Sequence, residues 1–422
     1  MLSASPLFLT GCGRPPRIEG PDVLLVVLDA VRADHLGCYG YHRDTSPCLD
    51  SLAGTGTVFT DARSQSSWTM PSAATILTGM SPQGHGCRAG ADRVYGLDPA
   101  TPTLATVLRD AGYATFGCFS SAWFSAGLGF DAGFDTFICY GTGGHQYGNV
   151  AESFRGWIDS LPPGERWFAM IHLYEAHEPY SPPSPFDTMF VPGRVPWPDD
   201  SLWMVGESDE VLRPGQLASL TARYDGEVRF QDAAIGTLLA AVRSTGRADD
   251  VLVIVTADHG EEFLEHGGCG HGKTLFQEVL RIPLIANGPG IPRGAERTDL
   301  AASMDIMPTI LARAGVPVPG GVEGVDLSAG PCTDRYVPSS EPKRAALVSV
   351  RRGDLVLIRD MDTGEEVTYD LSTDPSETCP LPPDSVLLLD LADYLAVRPG
   401  RERATAGESE LDGSLRDLGY VR

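Results

Sequence analysis

Short runs of aliphatic and β-branched residues, each bounded by polar positions, recur along this chain of 422 residues. Val23–Leu28, residues 113–119, 167–173, Val251–Ala257 and residues 282–287 read as buried strands, too short for helices, with the run from Val251 especially rich in β-branched residues. Elsewhere the apolar period lengthens to that of a helix. Leu217, Leu220, Tyr224, Val228, Ile235, Leu238, Leu239 and Val242 predict a helix over 216–243, and Ile306, Ile310 and Leu311 a shorter one over 305–314. This alternation predicts an α/β fold, a large mostly parallel sheet flanked on both faces by helices. After about residue 325 the pattern changes. Ala345–Val350, Leu355–Ile358 and Glu366–Tyr369 read as a small antiparallel sheet, turning at Gly353 and Gly364.

Two stretches fall outside the alternation. Residues 181–214 carry seven prolines with Trp197 and Trp203; a loop this long either shapes a pocket or lies as a solvated surface loop. Residues 399–422 are charged and read as a short helix or tail. The expected organisation is a leader and linker over 1–20, a catalytic unit over 21–324, and a C-terminal subdomain with its tail over 325–422.

Charge narrows the partners. With 32 basic against 56 acidic residues the net charge is −24, which argues against nucleic acid or an anionic membrane surface. An anionic small substrate stays open, because a cation in the site inverts the local field. No apolar stretch reaches the roughly 18 residues a membrane-spanning helix requires. Leu9-Thr10-Gly11-Cys12 resembles a bacterial lipoprotein processing box, although a basic n-region is missing and the apolar part is short. The expectation is an exported bacterial protein, periplasmic or anchored through a lipid on Cys12. Nine cysteines without paired spacing form no zinc cage.

The chemistry gathers where strands end. Val251–Val255 runs into Thr256-Ala257-Asp258-His259-Gly260-Glu261, and Val23–Leu28 runs into Asp29. Open α/β sheets place ligands at such carboxyl ends. Two carboxylates and an imidazole there form a site for a hard-to-borderline divalent metal. A third element is Trp68–Gly79. Pro71 suits a first helical turn, placing Thr69 at or just before the N-cap, where a hydroxyl serves as a cap or, beside a metal, as a nucleophile.

The chain resembles the sulfatase family of the alkaline phosphatase superfamily. The resemblance runs through Val23–Gly40, Thr45–Asp50, Phe59–Gly79, Pro82–Arg88, His172–Tyr180, Tyr224–Val228, Val251–Pro283, Met304–Leu311, Tyr369–Glu377 and Leu418–Val421. It implies an alkaline-phosphatase/sulfatase-like sandwich with a small C-terminal antiparallel β-sheet subdomain. It also implies one divalent metal (Ca, Mn, Mg or Zn) held by Asp29, Asp258 and His259, with the nucleophile Thr69 as a further ligand. Metal-dependent sulfatases make a formylglycine from Cys or Ser in a C/S-x-P-x-R motif. Here that motif reads Thr69-Met70-Pro71-Ser72-Ala73, so no formylglycine is expected, and the usual aspartate pair after the first strand is reduced to Asp29-Ala30. The set looks like the Thr-nucleophile branch of the superfamily.

The resemblance assigns His177 to substrate binding or proton transfer. It aligns His271 with an active-site Lys or His, Lys273 being the rival. Arg88 either reaches an anionic substrate or serves the surface. His172 reads as a satisfied structural histidine, His266 as supporting the site or packing a loop, and Asp34 and His35 as fixing the loop after the first strand. Three functions compete. The leading one is hydrolysis of a phosphate, phosphonate or sulfate ester through a covalent Thr69 intermediate. The others are group transfer to a lipid or glycan acceptor, and non-catalytic binding of sulfated or phosphorylated glycans.

Overall fold

The structure, a computed structural model, describes residues 19–89, 93–141, 145–191, 214–341, 346–396 and 403–404. The sheet has eight strands: β1 (Asp22–Leu28), β2 (Thr57–Phe59), β3 (Ala114–Phe119), β4 (Thr136–Cys139), β5 (Trp167–Leu173), β6 (Val251–Ala257), β7 (Leu284–Asn287) and β8 (Ala295–Arg297). They lie in the order β8-β2-β7-β6-β1-β5-β3-β4. From β6 to β4 the pairs are parallel, while β7 runs antiparallel to both β6 and β2. β1 is central and every residue in it is buried, as a parallel strand covered on both faces requires.

The helices form two groups. α1 (Thr69–Thr78) contacts Leu104–Asp110, while α2 (Tyr147–Ser160) packs along α3 (Pro214–Ser244). α4 (Ile306–Ala314) joins the α1 group. In the expected C-terminal subdomain, β9 (Val337–Glu341), β10 (Leu347–Arg352), β11 (Leu355–Asp360) and β12 (Glu366–Asp370) form an antiparallel meander, covered by α5 (Ser385–Ala396). The meander is tied to the chain that leads into α1. Ser339 Oγ donates to the Ser64 carbonyl at 2.8 Å, Ser66 Oγ donates to the Ser340 carbonyl at 2.8 Å, and Arg351 pairs with Asp61.

The four apolar runs up to residue 257 match strands to within a residue, and both predicted helices are present. Residues 282–287 are not one strand. Pro283 has no N–H for a ladder, so Arg281–Ile282 pairs with Ala62–Arg63 in a separate ribbon and β7 begins at Leu284. β2, β4 and β8 are three- and four-residue strands, below the length at which a period can be read. β9 was concealed by Pro338, Ser339 and Ser340. Within 181–214, Phe186–Met189 forms a short helix against α3; the stretch 192–213 lies outside the described residues. So do Cys12 and nearly all of 399–422, except that Arg403–Ala404 pairs with Tyr95–Gly96.

Candidate active site

Leu28 of β1 lies opposite Ala257 of β6, so the next residues, Asp29 and Asp258, leave the sheet side by side. The ladder continues one step further, with Asp29 N–H donating to the Leu173 carbonyl at 2.8 Å and Asp258 N–H to the Leu28 carbonyl at 3.1 Å. The chain then turns sharply at Ala30, whose φ of +57° lies in the left-handed region. An alanine there costs on the order of 1 kcal/mol. Tyr224 of α3 holds the turn, donating to the Ala30 carbonyl at 2.7 Å and accepting from the Arg32 N–H at 2.9 Å. In the segment that follows the facing strand Gly260 is required, since a Cβ there would lie 2.1 Å from the Glu278 carbonyl oxygen.

Asp258 Oδ1 accepts from two backbone N–H groups, Ala30 at 3.2 Å and His259 at 2.8 Å. Asp258 Oδ2 and both oxygens of Asp29 have no hydrogen-bond partner among the described residues. His259 turns Nδ1 to the Gly260 carbonyl at 2.8 Å. This leaves Nε2 3.6 Å from Asp29 Oδ1, 3.5 Å from Asp258 Oδ2 and 3.4 Å from Thr69 Oγ1. Ligand atoms of Asp29, Asp258 and His259 all fall within 4.8 Å of one another, and the three residues are completely buried.

Buried oxygens without donors are costly. Burial, then Asp258, pushes the Asp29 carboxyl well above the ordinary range, with His259 opposing. Burial pulls His259 down, yet Asp258 and Asp29 outweigh it and its net direction is upward. Orphaned hard oxygens beside an imidazole nitrogen whose ring is already oriented suit a divalent cation.

Thr69 is the first residue of α1 and Trp68 is its N-cap. The threonine is thus one position inside the helix from where the sequence placed it, and its hydroxyl faces His259 instead of capping. His172 also differs from its sequence reading. Neither ring nitrogen has a hydrogen-bond partner among the described residues, Nε2 lies 3.3 Å from Asp29 Oδ2, and burial holds its pKa down at about 4.

The remaining histidines separate by environment. The rings of His259 and His271 are 4.2 Å apart, and His177 follows edge-on at 4.9 Å. His177 stacks on Tyr174 and donates Nδ1–H to the Glu178 carbonyl at 2.7 Å; burial, then His271, depresses its pKa well below the usual value. Lys273 Nζ donates to the Cys269 carbonyl at 3.2 Å, and Arg88 spreads over the Tyr95 ring at 4.1 Å. His266 packs a loop, stacked on Phe276 and held by Glu278 at 2.6 Å. His35 bonds Asp225 of α3 at 2.6 Å while Asp34 pairs with Arg32, which fixes the loop after β1.

Two residues of this neighbourhood were given no role in the sequence. Glu261 is fully buried, and burial pushes it up to about 7 against the Tyr180 hydrogen bond and the charges of His259, Arg32 and Lys273. Nothing in its spacing separates it from Glu262. Tyr224 shows in the sequence as a core position of a helix and as the start of the matching stretch Tyr224–Val228, with no sign that it holds the turn at Ala30.

A family model for sulfatases matches residues 21–316, which contain every residue of this cluster. The chain belongs to the sulfatase family. Arylsulfatase A of Homo sapiens is 29% identical over 374 aligned residues, covering 73% of this chain and 67% of that protein. The arylsulfatase of Clostridium perfringens (strain 13 / Type A) is 22% identical, over 95% of this chain and 98% of its own. Among solved structures, the phosphonate monoester hydrolase of Agrobacterium radiobacter superposes with a TM-score of 0.72 at 20% identity, covering 90% of this chain and 95% of its own. A 2-O GAG sulfatase does so with 0.72 at 19% identity, covering 96% and 94%. This sulfatase-family chain is an ester hydrolase. None of its described helices is long and apolar enough to cross a membrane.

Proposed function

We propose that this hydrolase cleaves phosphate or phosphonate esters in preference to sulfate esters, through a covalent intermediate on Thr69. The observation that carries the reading is the threonine hydroxyl at the start of α1, 3.4 Å from His259 Nε2, with Ala73 where the formylglycine motif has arginine. Asp29, Asp258 and His259 would hold one divalent cation, with Thr69 Oγ1 beside it. When bound, such a cation lowers the pKa of the adjacent hydroxyl and offsets charge on the ester oxygens.

The chain's own groups account for the rest. Thr69 presents Oγ1 to phosphorus from the positive end of α1. His271, with His177 next to it, supplies a proton to the departing ester oxygen. Lys273 and Arg88 are read as contacts for substrate charge. The preference for phosphorus follows from what must break next. A formylglycine hydrate expels sulfate by breaking its own C–O bond, whereas an esterified threonine carries no second hydroxyl on that carbon. Water must then attack the central atom, as it readily does at phosphorus.

The test is kcat/KM for an aryl phosphodiester, an aryl phosphonate monoester and the matched aryl sulfate, with mass spectrometry of the Thr69 peptide. A higher value for the phosphorus esters with intact threonine is expected. A preference for the sulfate by protein with unmodified Thr69 overturns the reading. We read the molecule as a catalytic unit over 21–324 with an appended subdomain over 325–422, exported and anchored through Cys12. Mass spectrometry of the native N-terminus should find a processed, diacylated Cys12; an unprocessed terminus at Met1 overturns the anchor.

A further inference from the structure

His266 stands between the ribbon that follows β6 and the chain that leaves the C-terminal meander. The ribbon pairs Glu262–Phe263 with Cys269–Gly270. It leads to Lys273 and to His271, whose Nδ1 lies 2.9 Å from Glu261 Oε1. At the turn of the ribbon Glu262 Oε1 accepts from the N–H groups of His266 at 3.2 Å and Gly268 at 2.7 Å, which fixes the backbone of the histidine. The His266 ring lies flat on Phe276, with centroids 3.6 Å apart, and both of its nitrogens meet oxygens. Nδ1 is 2.6 Å from Glu278 Oε1, and Nε2 is 3.2 Å from the Glu377 carbonyl. Glu377 belongs to the segment that leaves β12 and returns to bridge it through Leu381 and Thr368. Its carboxylate accepts from the Gln277 N–H at 2.7 Å, so two bonds from one residue hold this corner together.

A carbonyl oxygen only accepts, so Nε2 carries hydrogen. On a neutral imidazole Nδ1 is then a lone pair, which an ionised carboxylate at 2.6 Å repels. The contact is a hydrogen bond only while a further proton lies between Nδ1 and Oε1. We infer that His266, Glu278 and Glu377 form a proton-dependent clasp, which fastens the C-terminal meander to the ribbon entering the active site and releases it in alkaline medium. The other charged groups around the clasp are Glu262, Glu265 and Asp374, with Arg63 acting on the Glu377 carboxylate. Burial pulls the His266 ring down, but Glu278 and then Glu377 outweigh it, and the ring keeps its proton above the ordinary histidine range. The unfolded chain gives that proton up at lower pH. The stability that the clasp contributes is therefore complete below the ordinary histidine value and is lost as pH rises through the raised one. Glu377 titrates nearby, since burial, against Arg63, pushes its carboxyl up to about 7.

The experiment is hydrogen–deuterium exchange of the full chain at pH 6 and pH 9, read as protection factors of peptides spanning 262–270 and 372–380. Wild type should lose about tenfold protection in both peptides between the two pH values, with peptides of β1 and β5 unchanged. Glu278→Gln should stay protected at both. Its amide N–H donates to Nδ1 of a neutral ring, whose Nε2–H still reaches the Glu377 carbonyl. Glu377→Gln should keep the transition at a lower pH, because it removes a nearby charge and leaves the carbonyl. His266→Ala should be poorly protected at both; if it does not fold, wild type against Glu278→Gln decides. Equal protection of wild type at the two pH values overturns the proposal, as does a Glu278→Gln variant that follows wild type. Loss of the transition in Glu377→Gln overturns it too, assigning the proton to that carboxyl, and an equal loss in β1 and β5 makes the opening global.

Discussion

The two ends of β1 carry buried aspartates that the chain treats in opposite ways. Asp22, at the start, and Asp29, just past the end, are each completely buried. At Asp22 the protein brings its own cations: Arg247 Nη2 lies 2.7 Å from Oδ2 and Arg166 Nη1 3.7 Å from Oδ1, with the Trp167 N–H donating at 3.2 Å. Burial still raises Asp22 to about 6, with Arg247 the foremost opposing influence. Around Asp29 stand another carboxylate and two histidines, with no Lys or Arg ion pair to Asp29 or Asp258 among the described residues. One end of the strand is closed by the chain's own cations, and the other presents carboxylate oxygens without a hydrogen-bond partner among the described residues. That asymmetry, more than the count of acidic groups, distinguishes a site from a structural ion pair.

Four measurements would break or sharpen the contrast. The largest effect is expected for Asp258→Ala, which should remove bound metal by elemental analysis and turnover by at least about 10⁴-fold while the circular dichroism spectrum is retained. Full metal occupancy in that variant would show that the open end is not a cation site. Next comes Thr69→Ala, which should keep the metal and lower kcat by about 10³-fold or more. Near-normal kcat there would leave water as the nucleophile.

The closed end should answer in stability instead of catalysis. Arg247→Ala is expected to destabilise the protein by about 2 kcal/mol at pH 7.5, a figure reduced because the guanidinium is partly exposed. Asp22 has a folded-state pKa raised to about 6, so it takes a proton as pH falls through that value. The arginine then has no charge to offset, and the penalty should shrink below pH 6; denaturant melts at pH 7.5 and pH 5 would show whether it does. The smallest effect is expected for Asp29→Asn in metal-free protein. Removing one of two adjacent buried carboxylates should raise stability by on the order of 1 kcal/mol, although the same change removes metal binding. A metal-free variant that melts lower than wild type would contradict an open end.

The strand ends were legible in the sequence because a fully buried parallel strand is an uninterrupted apolar run, and the polar residue that stops it stands at the sheet's rim. Asp29, Asp258 and His259 could be found for that reason. The small strands were hidden, being too short for a period or, like β9, carrying serines that serve as hydrogen-bonding partners for another segment. Glu261 and Tyr180 were hidden for a different cause. They are 81 positions apart, and only the closed fold shows that one carboxylate joins a tyrosine and a histidine. His172 was misread because a histidine inside an apolar strand gives no sign of whether its nitrogens find partners.

Ala30 bears on how such a site can change over time. Its backbone is already bent into the left-handed region and held there from α3 by Tyr224. Aspartate and asparagine tolerate that conformation better than alanine does. The family pattern carries a second carboxylate at this position, so a single replacement of Ala30 by aspartate would restore it without asking the main chain to move. The cradle is thus one substitution away from a more acidic form, and the route between the two runs through a turn already shaped for either.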